Sequence, residues 1–437
     1  MAIETSFVPV QTLGPCTYPS PLALSHTPGD GIGNFIPDGT PVPFNTDVYA
    51  DFSISVPRSF QRAGPRGSIY FDPAGVHAAI VTCGGLCPGL NNVIRSIVLE
   101  LWHAYGVRQI SGLRYGYRGL NPAYDGEPLH LTPDLVDPIH EFGGTILGSS
   151  RGPQPFDVMA NFIERNAIDM LFCVGGDGTM RGAHALHKEL HRRGRATAVV
   201  GVPKTIDNDI RFVRNSFGFV TAVQRARDAV RTAHVEAHGA PRGVGVVKLM
   251  GRDSGFIAAM ASVTEPVADF TLVPEVPFGL EGENGLLACV GRKLAASRHA
   301  VVVVAEGAGQ DLFTPADPFR DASGNVKHHD IGTFLCERIA AHFQAAGDPV
   351  SIKYIDPSYL IRSAPANTTD SQLADAFARR AVHAAMAGKT NVVIGTDHGI
   401  FFHVPIELAV EKKQYLSPEA DLWSSVLSAT GQPRRMM

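Results

Sequence analysis

The 437-residue sequence predicts an α/β protein with two doubly wound, Rossmann-like domains and parallel-rich sheets. Two observations predict this class. Short apolar runs without charges, such as LFCV at residues 171–174 and VVVV at 301–304, alternate with longer segments of helical periodicity, and several of the runs end in glycine-rich turns. Strands that alternate with helices are typical of parallel sheets whose two faces are covered by helices.

The predicted elements follow one another from residue 77 onward. The segments predicted as strands are HAAIVTCGG, DMLFCVGG, ATAVVGVP, VGVVKLMG, FTLVPE, AVVVVAEGAG, VSIKYID and NVVIG. Helical patterns separate most of them, for example NNVIRSIVLELWHAYG after the first strand. This order predicts an N-terminal extension at 1–70, α/β domains at 71–210 and 211–400, and a C-terminal segment at 401–437, and it allows the chain to cross between the domains.

Composition narrows the class of function. Lys plus Arg number 38 and Asp plus Glu number 42, so the net charge of −4 gives no reason to expect a nucleic-acid or membrane partner. The start MAIETSFVPV lacks the basic segment and apolar core of a signal peptide, and the six cysteines are scattered, so we expect free thiols in a reducing cytoplasm. The long polar segment at 309–332 is predicted to lie at the surface.

Glycine-rich turns follow the first two strands, at the sheet edge where ligands of open α/β sheets bind. CGGLCPGLNN brings Gly84 and Gly85, whose backbone N–H groups could hold a phosphate, and ILGSSRGPQ, which comes before the second strand, brings Arg151 and Gly152. VGGDGT contains one acid, Asp177, in a turn almost without side-chain bulk. Such an acid suits a ligand or a metal ion, and an ordinary turn would tolerate it equally well.

Charged groups follow the later strands. PKTIDND brings two carboxylates, Asp207 and Asp209, that would point the same way in extended backbone, and a pair of this kind can divide the roles of base and of charge or metal partner. A polar turn with an Asx hydrogen bond is the alternative. KLMGRDSGF, AEGAG and KYIDPSYLIRSAPAN add cations and a carboxylate that could bind an anionic sugar phosphate, or that could form surface ion pairs.

The ordered set of strand ends resembles the phosphofructokinase family. The matching pieces are CGGLCPGLNNVIR, YGYRGL, LGSSRGPQ, VGGDGT, PKTIDND, SFGF, KLMGRDSG, AEGAG and YLIR, which span about residues 75–370. The resemblance is closest to the long branch of the family. It implies a phosphofructokinase-like fold, transfer of phosphate to the 1-hydroxyl of fructose 6-phosphate in glycolysis, a homo-oligomer (dimer or tetramer), and binding of ATP by 71–210 and of sugar phosphate by 211–400.

The resemblance also implies roles for individual residues. Asp207 is the expected general base, Lys204 and Arg252 act with it, and Asp177 is the expected Mg²⁺ ligand. The residues expected at the donor are Gly84, Gly85, Arg151, Gly152, Gly176, Asp177, Gly178 and Thr179. Those expected at the sugar phosphate are Thr205, Ile206, Asp207, Met250, Gly251, Arg252, Glu306, Lys353, Tyr359 and Arg362.

Two positions bear on the choice of phosphoryl donor. In the family, glycine at Gly178 leaves room for ATP, whereas aspartate there suits pyrophosphate. Lys204 points the other way, because the pyrophosphate enzymes carry a lysine there, but the combination resembles ATP-using members of the long branch. We therefore expect ATP, with a pyrophosphate-dependent enzyme as the alternative.

Two other functions also compete with this prediction. A non-catalytic regulatory subunit would be expected to lose Asp207 or Asp177, and both are present. Lipid and NAD kinases share GGDGT, but PKTIDND, MGR and YLIR favour a sugar phosphate. One departure from the short bacterial members is Gly243, which stands where they have an arginine, with Arg242 beside it.

Overall fold

The structure is a computed structural model that describes residues 6–44, 58–124, 126–313 and 328–437. The described chain alternates strands and helices as expected, and each of the eight predicted strands forms. The strands are β1 (Ser6–Phe7), β2 (Tyr18–Pro19), β3 (Pro41–Phe44), β4 (Arg58–Arg62), β5 (Ser68–Ile69), β6 (His77–Thr82), β7 (Gln109–Leu113), β8 (Leu129–His130), β9 (Met170–Gly175), β10 (Ala198–Pro203), β11 (Gly243–Leu249), β12 (Phe270–Leu272), β13 (His299–Ala305), β14 (Ser351–Ile355), β15 (Val392–Asp397) and β16 (Ile400–Pro405). The α-helices are α1 (Leu90–Leu99), α2 (Pro133–Val136), α3 (Phe156–Arg165), α4 (Asp177–Arg192), α5 (Phe219–His238), α6 (Phe256–Thr264), α7 (Leu286–Ser297), α8 (Ile331–Ala345), α9 (Ser358–Arg362), α10 (Thr368–Met386), α11 (Ile406–Ala409) and α12 (Asp421–Thr430).

The chain divides into two compact units. Unit 1 comprises Met1–Thr205, Ile210–Gly218 and Ala364–Lys413, and unit 2 comprises Ile206–Asp209, Phe219–Ser363 and Gln414–Met437. The boundaries expected from sequence are at 70, 210 and 400, with crossing allowed. In the structure, residues 364–413 return to unit 1 because α10 packs on α1 and β15 pairs with β10.

Unit 1 is built on one large mixed sheet. Its strand order is β1-β4-β16-β15-β10-β9-β6-β7-β8, and β3 pairs with β4. The strands from β15 through β10, β9 and β6 to β7 are parallel, so their carboxyl ends lie at one edge. The α/β class with parallel-rich sheets is confirmed, and this edge is where unit 1 can place ligand-binding loops.

The N-terminal extension is part of unit 1 where the structure describes it. β3 and β4 extend the sheet, and the backbone N–H of Leu13 donates to the carbonyl of Gly388 at 2.8 Å. The carboxylate of Asp38 pairs with two buried cations, Arg66 at 2.8 Å and Lys389 at 3.1 Å. These contacts with distant residues hold the segment in place, although its own sequence shows weak periodicity.

Unit 2 contains a fully parallel four-stranded sheet in the order β12-β13-β11-β14. Side chains alternate across it: Val301 and Val303 of β13 join the core formed with α5 and α6, whereas Val302 and Val304 join the core formed with α7 and α8. Burial on both faces explains why the strand is a continuous valine run rather than an alternating one.

Two expectations concern membranes and the polar loop. Among the helices that the structure describes, none combines the length and apolar character needed to cross a bilayer. Of the predicted surface segment at 309–332, residues 314–327 lie outside the described residues.

Candidate functional site

In unit 1, the turn after β6 collects several of the predicted donor residues. Gly84 has φ of 83°, a conformation that favours glycine, and its carbonyl accepts a hydrogen bond from the Ser149 hydroxyl at 2.5 Å. Lys204 is buried, and its Nζ donates to the carbonyl of Gly85 at 2.6 Å. The Arg151 guanidinium lies 3.6 Å from where a Cβ on Gly85 would stand. Two cations and a side-chain-free backbone therefore meet in one loop cluster, as phosphate binding requires.

The second loop with predicted donor residues joins β9 to α4. Gly176 precedes the helix and Asp177 is its first residue, so backbone N–H groups at the positive end of α4 lie beside the carboxylate. A Cβ on Gly178 would meet no atom within 4 Å, so open space adjoins this turn. Thr179 is buried, and its carbonyl accepts the Tyr117 hydroxyl at 2.6 Å, which anchors the first turn of the helix.

Asp177 suits a magnesium ion held mainly by substrate phosphates. Its side chain is 20% exposed and stands at the glycine-rich helix start described above. Within the described ranges, no three His, Cys, Asp or Glu side chains form a metal cage. A single carboxylate is nevertheless the usual protein contribution when Mg²⁺ keeps waters and binds phosphate oxygens. The residues present therefore fit this ion.

In unit 2, Asp207 is the centre of a charged cluster. Its carboxylate accepts a hydrogen bond from the backbone N–H of Arg252, and its backbone carbonyl accepts the Ser254 hydroxyl at 3.0 Å. Burial raises the pKa of Asp207 to about 7, and the negative charges of Asp209 and Glu306 add to this, while the Arg252 N–H opposes it. A carboxylate with this pKa can accept a proton at neutral pH.

Several of the residues predicted to bind sugar phosphate follow two paired strands of unit 2, β11 and β13. The N–H of Glu306 donates to the carbonyl of Leu249 at 2.9 Å, which sets the end of β13 beside the end of β11. Gly251 has φ of 132°, a backbone conformation in the turn after β11 that glycine adopts readily and that strains other residues. Arg362 Nε lies 3.2 Å from the Met250 sulfur. Burial raises the pKa of Glu306, and the positive charge of Arg362 opposes this rise.

The remaining predicted site residues have other positions in the structure. Ile206 packs on the core of unit 2, and the carbonyl of Thr205 accepts the Ser216 hydroxyl at 2.5 Å within unit 1. Gly152 has φ of 99° directly after Arg151. Lys353 lies in the edge strand β14 and Tyr359 is 85% exposed, and both stay outside the Asp207 cluster among the contacts that the structure describes.

Comparison with known proteins shows which family the chain belongs to. The family model for phosphofructokinase matches residues 77–385. The chain belongs to the phosphofructokinase family. The ATP-dependent 6-phosphofructokinase of Borreliella burgdorferi is 45% identical over 441 residues, covering 98% of this chain and 97% of the relative. The ATP-dependent 6-phosphofructokinase of Amycolatopsis methanolica is 48% identical over 443 residues, covering 99% and 96%.

A solved structure of the family supports the fold. The crystal structure of the pyrophosphate-dependent phosphofructokinase from Marinobacter aquaeolei matches with a TM-score of 0.66 and 21% identity, covering 81% of this chain and 91% of that chain. At this identity the likeness concerns the fold alone. The predicted membership of the phosphofructokinase family and the predicted fold are both confirmed.

The departure from short bacterial phosphofructokinases at Gly243 has a packing reason. A Cβ on Gly243 would stand 2.0 Å from the carbonyl oxygen of Ala237, so no arginine fits at this position. The neighbouring Arg242 pairs with Asp348 at 2.6 Å and is committed to that contact. Any phosphate contact made by the bacterial arginine must therefore come from another residue of this family member.

Sequence reasoning missed two lysines near these clusters. Lys413 Nζ lies 4.0 Å from Asp177 Oδ2 within unit 1, and it comes from a C-terminal segment that offered no signal. Lys248 pairs with Asp356 at 2.9 Å within unit 2. Lys248 could have been found from sequence, because it interrupts the apolar strand VGVVKLMG two residues before Met250.

Proposed function

We propose that this protein is an ATP-dependent 6-phosphofructokinase, a phosphotransferase that moves the γ-phosphoryl group of ATP to the 1-hydroxyl of fructose 6-phosphate. The proposal is supported by relatives named for this activity that align over nearly the whole chain. The observation that carries it is Asp207, a carboxylate with a pKa raised to about 7, mainly by burial, in a cluster that also contains Arg252 and Arg362.

In the proposed reaction, Asp207 accepts the proton of the sugar 1-hydroxyl as its oxygen attacks the γ-phosphorus. The bond from phosphorus to the bridging oxygen breaks, and ADP leaves. Because the hydroxyl becomes acidic only late in the transfer, a base with a pKa near neutrality suffices. Arg252 and Arg362 bind the anionic sugar phosphate, and the Met250–Arg252 turn and Glu306 position the sugar.

Unit 1 supplies the proposed donor site. Backbone N–H groups of the Gly84–Gly85 turn and of the start of α4 bind the donor phosphates, with Arg151 beside them. Lys204 offsets negative charge that develops on the transferring group. Asp177 would hold Mg²⁺, and the bound ion would supply charge neutralisation for the donor phosphates.

Donor selection depends on the space beside Gly178. A triphosphate is longer than pyrophosphate by one phosphoryl group and a nucleoside, and the turn is open because no atom lies within 4 Å of the place that a Cβ on Gly178 would occupy. An aspartate here would add bulk and a negative charge that repels the additional phosphate. Lys204 taken alone would favour pyrophosphate, but its combination with Gly178 resembles the ATP-using members of the long branch, so we infer ATP as the donor.

The deciding experiment compares the two donors with purified protein and fructose 6-phosphate. We expect turnover with MgATP and at least about hundredfold less with pyrophosphate. Turnover with pyrophosphate and none with ATP would replace the ATP assignment by the rival donor. No turnover with either, together with binding of fructose 6-phosphate, would instead indicate a regulatory subunit.

The same proposal includes the substrate, cellular location and oligomeric state of the enzyme. Fructose 6-phosphate is the expected substrate, the cytoplasm the expected location, and a dimer or tetramer the expected assembly. Lys353, in the edge strand β14, is the residue expected to act across a subunit contact. Light scattering coupled to size exclusion measures the assembly directly, and a monomer that is fully active would remove the role assigned to Lys353.

A further inference from the structure

Lys248 forms an ion-pair cluster inside unit 2 that the proposed chemistry does not use. Its side chain is 14% exposed, and its Nζ lies 2.9 Å from Asp356 Oδ2 and 3.3 Å from Asp330 Oδ1. Lys248 thus forms ion pairs with two carboxylates near the end of the valine-rich strand β11. A lysine that is mostly withdrawn from solvent is costly unless it is paired, so the two carboxylates stabilise Lys248 in this position.

The position of the pair in the sheet explains what it holds. β11 and β14 pair in parallel up to Val247 and Ile355. Lys248 and Asp356 are the next residues along the chain from these two, so their ion pair continues the pairing for one step after the backbone ladder ends. Asp356 in turn accepts the backbone N–H of Ser358 at 3.1 Å, at the first residue of α9.

Besides its packing on α5, where Ile361 joins the core of unit 2, the helix α9 has a largely exposed outer side. Two of its five residues, Tyr359 and Leu360, are 85% and 74% exposed, and only Ile361 is buried. Its last residue, Arg362, contacts the sulfur of Met250, which follows β11 directly. Both ends of α9 are therefore tied to the end of β11, the start through Lys248 and the end through Met250.

We propose that Lys248 is a positioning residue that clamps the start of α9 through Asp356 and thereby fixes Arg362 for the sugar phosphate. The inference rests on the proposed function, since Arg362 is assigned there to that ligand. Lys248 acts through Asp356 because its ammonium group is engaged by carboxylates. Its removal should weaken the binding of fructose 6-phosphate and leave the ATP loops of unit 1 unchanged.

The test is steady-state kinetics of Lys248→Met beside a matched control, Lys293→Met. Lys293 lies on α7 in the same unit and pairs with Asp269 at 2.6 Å, away from α9. We expect Lys248→Met to raise KM for fructose 6-phosphate about tenfold, equivalent to about 1.4 kcal/mol. KM for ATP should stay within about twofold, and Lys293→Met should leave both constants near wild type.

Two further variants distinguish loss of the ion pair from general unfolding of the protein. Lys248→Arg keeps the charge and should restore most of the lost affinity. Asp356→Asn keeps an acceptor for Ser358 but removes the charge, so it should raise the same KM, and the double variant with Lys248→Met should be no worse than either single one.

Several results would overturn the inference. These are an unchanged KM for the sugar phosphate in Lys248→Met or Asp356→Asn, an equal rise of both KM values, or the same change in Lys293→Met. A wild-type protein without activity on fructose 6-phosphate would overturn the proposed function and this inference together. An active wild type with insensitive variants would overturn this inference alone.

Discussion

Replacing Asp207 by asparagine tests whether the proposed base is also a source of instability. The change keeps the size and shape of the side chain and removes its ionisation. If Asp207 takes the hydroxyl proton, kcat should fall by about a factor of 10³, within the range typical of general bases. The same substitution should make the folded protein more stable at pH 8, because the charged carboxylate is unfavourable where it lies.

The magnitude follows from the pKa. Burial raises the pKa of Asp207 from its ordinary value of 3.8 to about 7, with the charges of Asp209 and Glu306 adding to the effect. A pKa that is higher by about 3 in the folded state than in the unfolded chain corresponds to a free-energy difference of about 4 kcal/mol between the protonated and charged forms. Because the carboxylate Oδ1 is buried but the residue as a whole is only partly shielded from solvent, we expect about half of this, about 2 kcal/mol, to reach the free energy of unfolding.

The sign depends on which state binds the proton more tightly. With a raised pKa in the folded state, that state holds the proton between pH 3.8 and 7 while the unfolded chain has released it. Wild-type stability therefore falls as pH rises through this window and levels off above pH 7. Asparagine does not titrate, so the stability gap between Asp207→Asn and wild type should widen from pH 5 to pH 8.

Urea unfolding at pH 5, 6.5 and 8 measures this gap, and a coupled ADP-release assay measures kcat. Asp228→Asn, an exposed position on α5, is the control for removing a carboxylate from the same unit. A variant that is no more stable than wild type at pH 8, or a gap that does not change with pH, would refute the electrostatic argument. An unchanged kcat would remove Asp207 from the mechanism.

Three further substitutions test Asp209, Gly178 and Asp38. Asp209→Asn removes a charge that raises the pKa of Asp207, so the acidic limb of the pH profile of kcat/KM should move down by about one unit; an unmoved limb would exclude this coupling. Gly178→Asp should lower kcat/KM for ATP at least about tenfold with a nearly unchanged melting temperature, because the Cβ meets open space; a large loss of Tm would instead indicate misfolding. Asp38→Asn leaves the buried Arg66 without its carboxylate and should lower the free energy of unfolding by about 1–2 kcal/mol in urea, reduced from a fully buried pair because Asp38 is half-exposed. A stability equal to that of wild type would show that this ion pair does not hold the N-terminal segment.

The sequence predicted the elements and the ends of strands well. Apolar runs such as that of β13 are continuous because both faces are buried, and local periodicity suffices to recognise them. The glycine turn at Gly84 and the polar side chains of Asp177, Asp207 and Arg252 follow strands, and the carboxyl ends of parallel strands are where such sheets bind ligands, so the sequence predicts a site from these residues. The resemblance to phosphofructokinases then supplied an ordered set of motifs, and the family was confirmed.

Other features required distant parts of the chain to meet. The return of residues 364–413 to unit 1 depends on α10 meeting α1 and on β15 pairing with β10, and no local pattern contains that pairing. The attachment of the N-terminal extension likewise depends on Arg66 and Lys389 sharing Asp38. Weak periodicity in the extension therefore did not mean weak structure.

By itself, the sequence determined which segments form strands and helices, which glycines open the turns, and which acids and cations stand at the strand ends. Those are properties of neighbouring residues, set by side-chain alternation and backbone freedom. The tertiary structure alone decided that the pKa of Asp207 is raised and that Lys248 is paired with Asp356. Desolvation and ion pairing depend on groups from different segments, and only folding brings those groups within a few ångströms of each other.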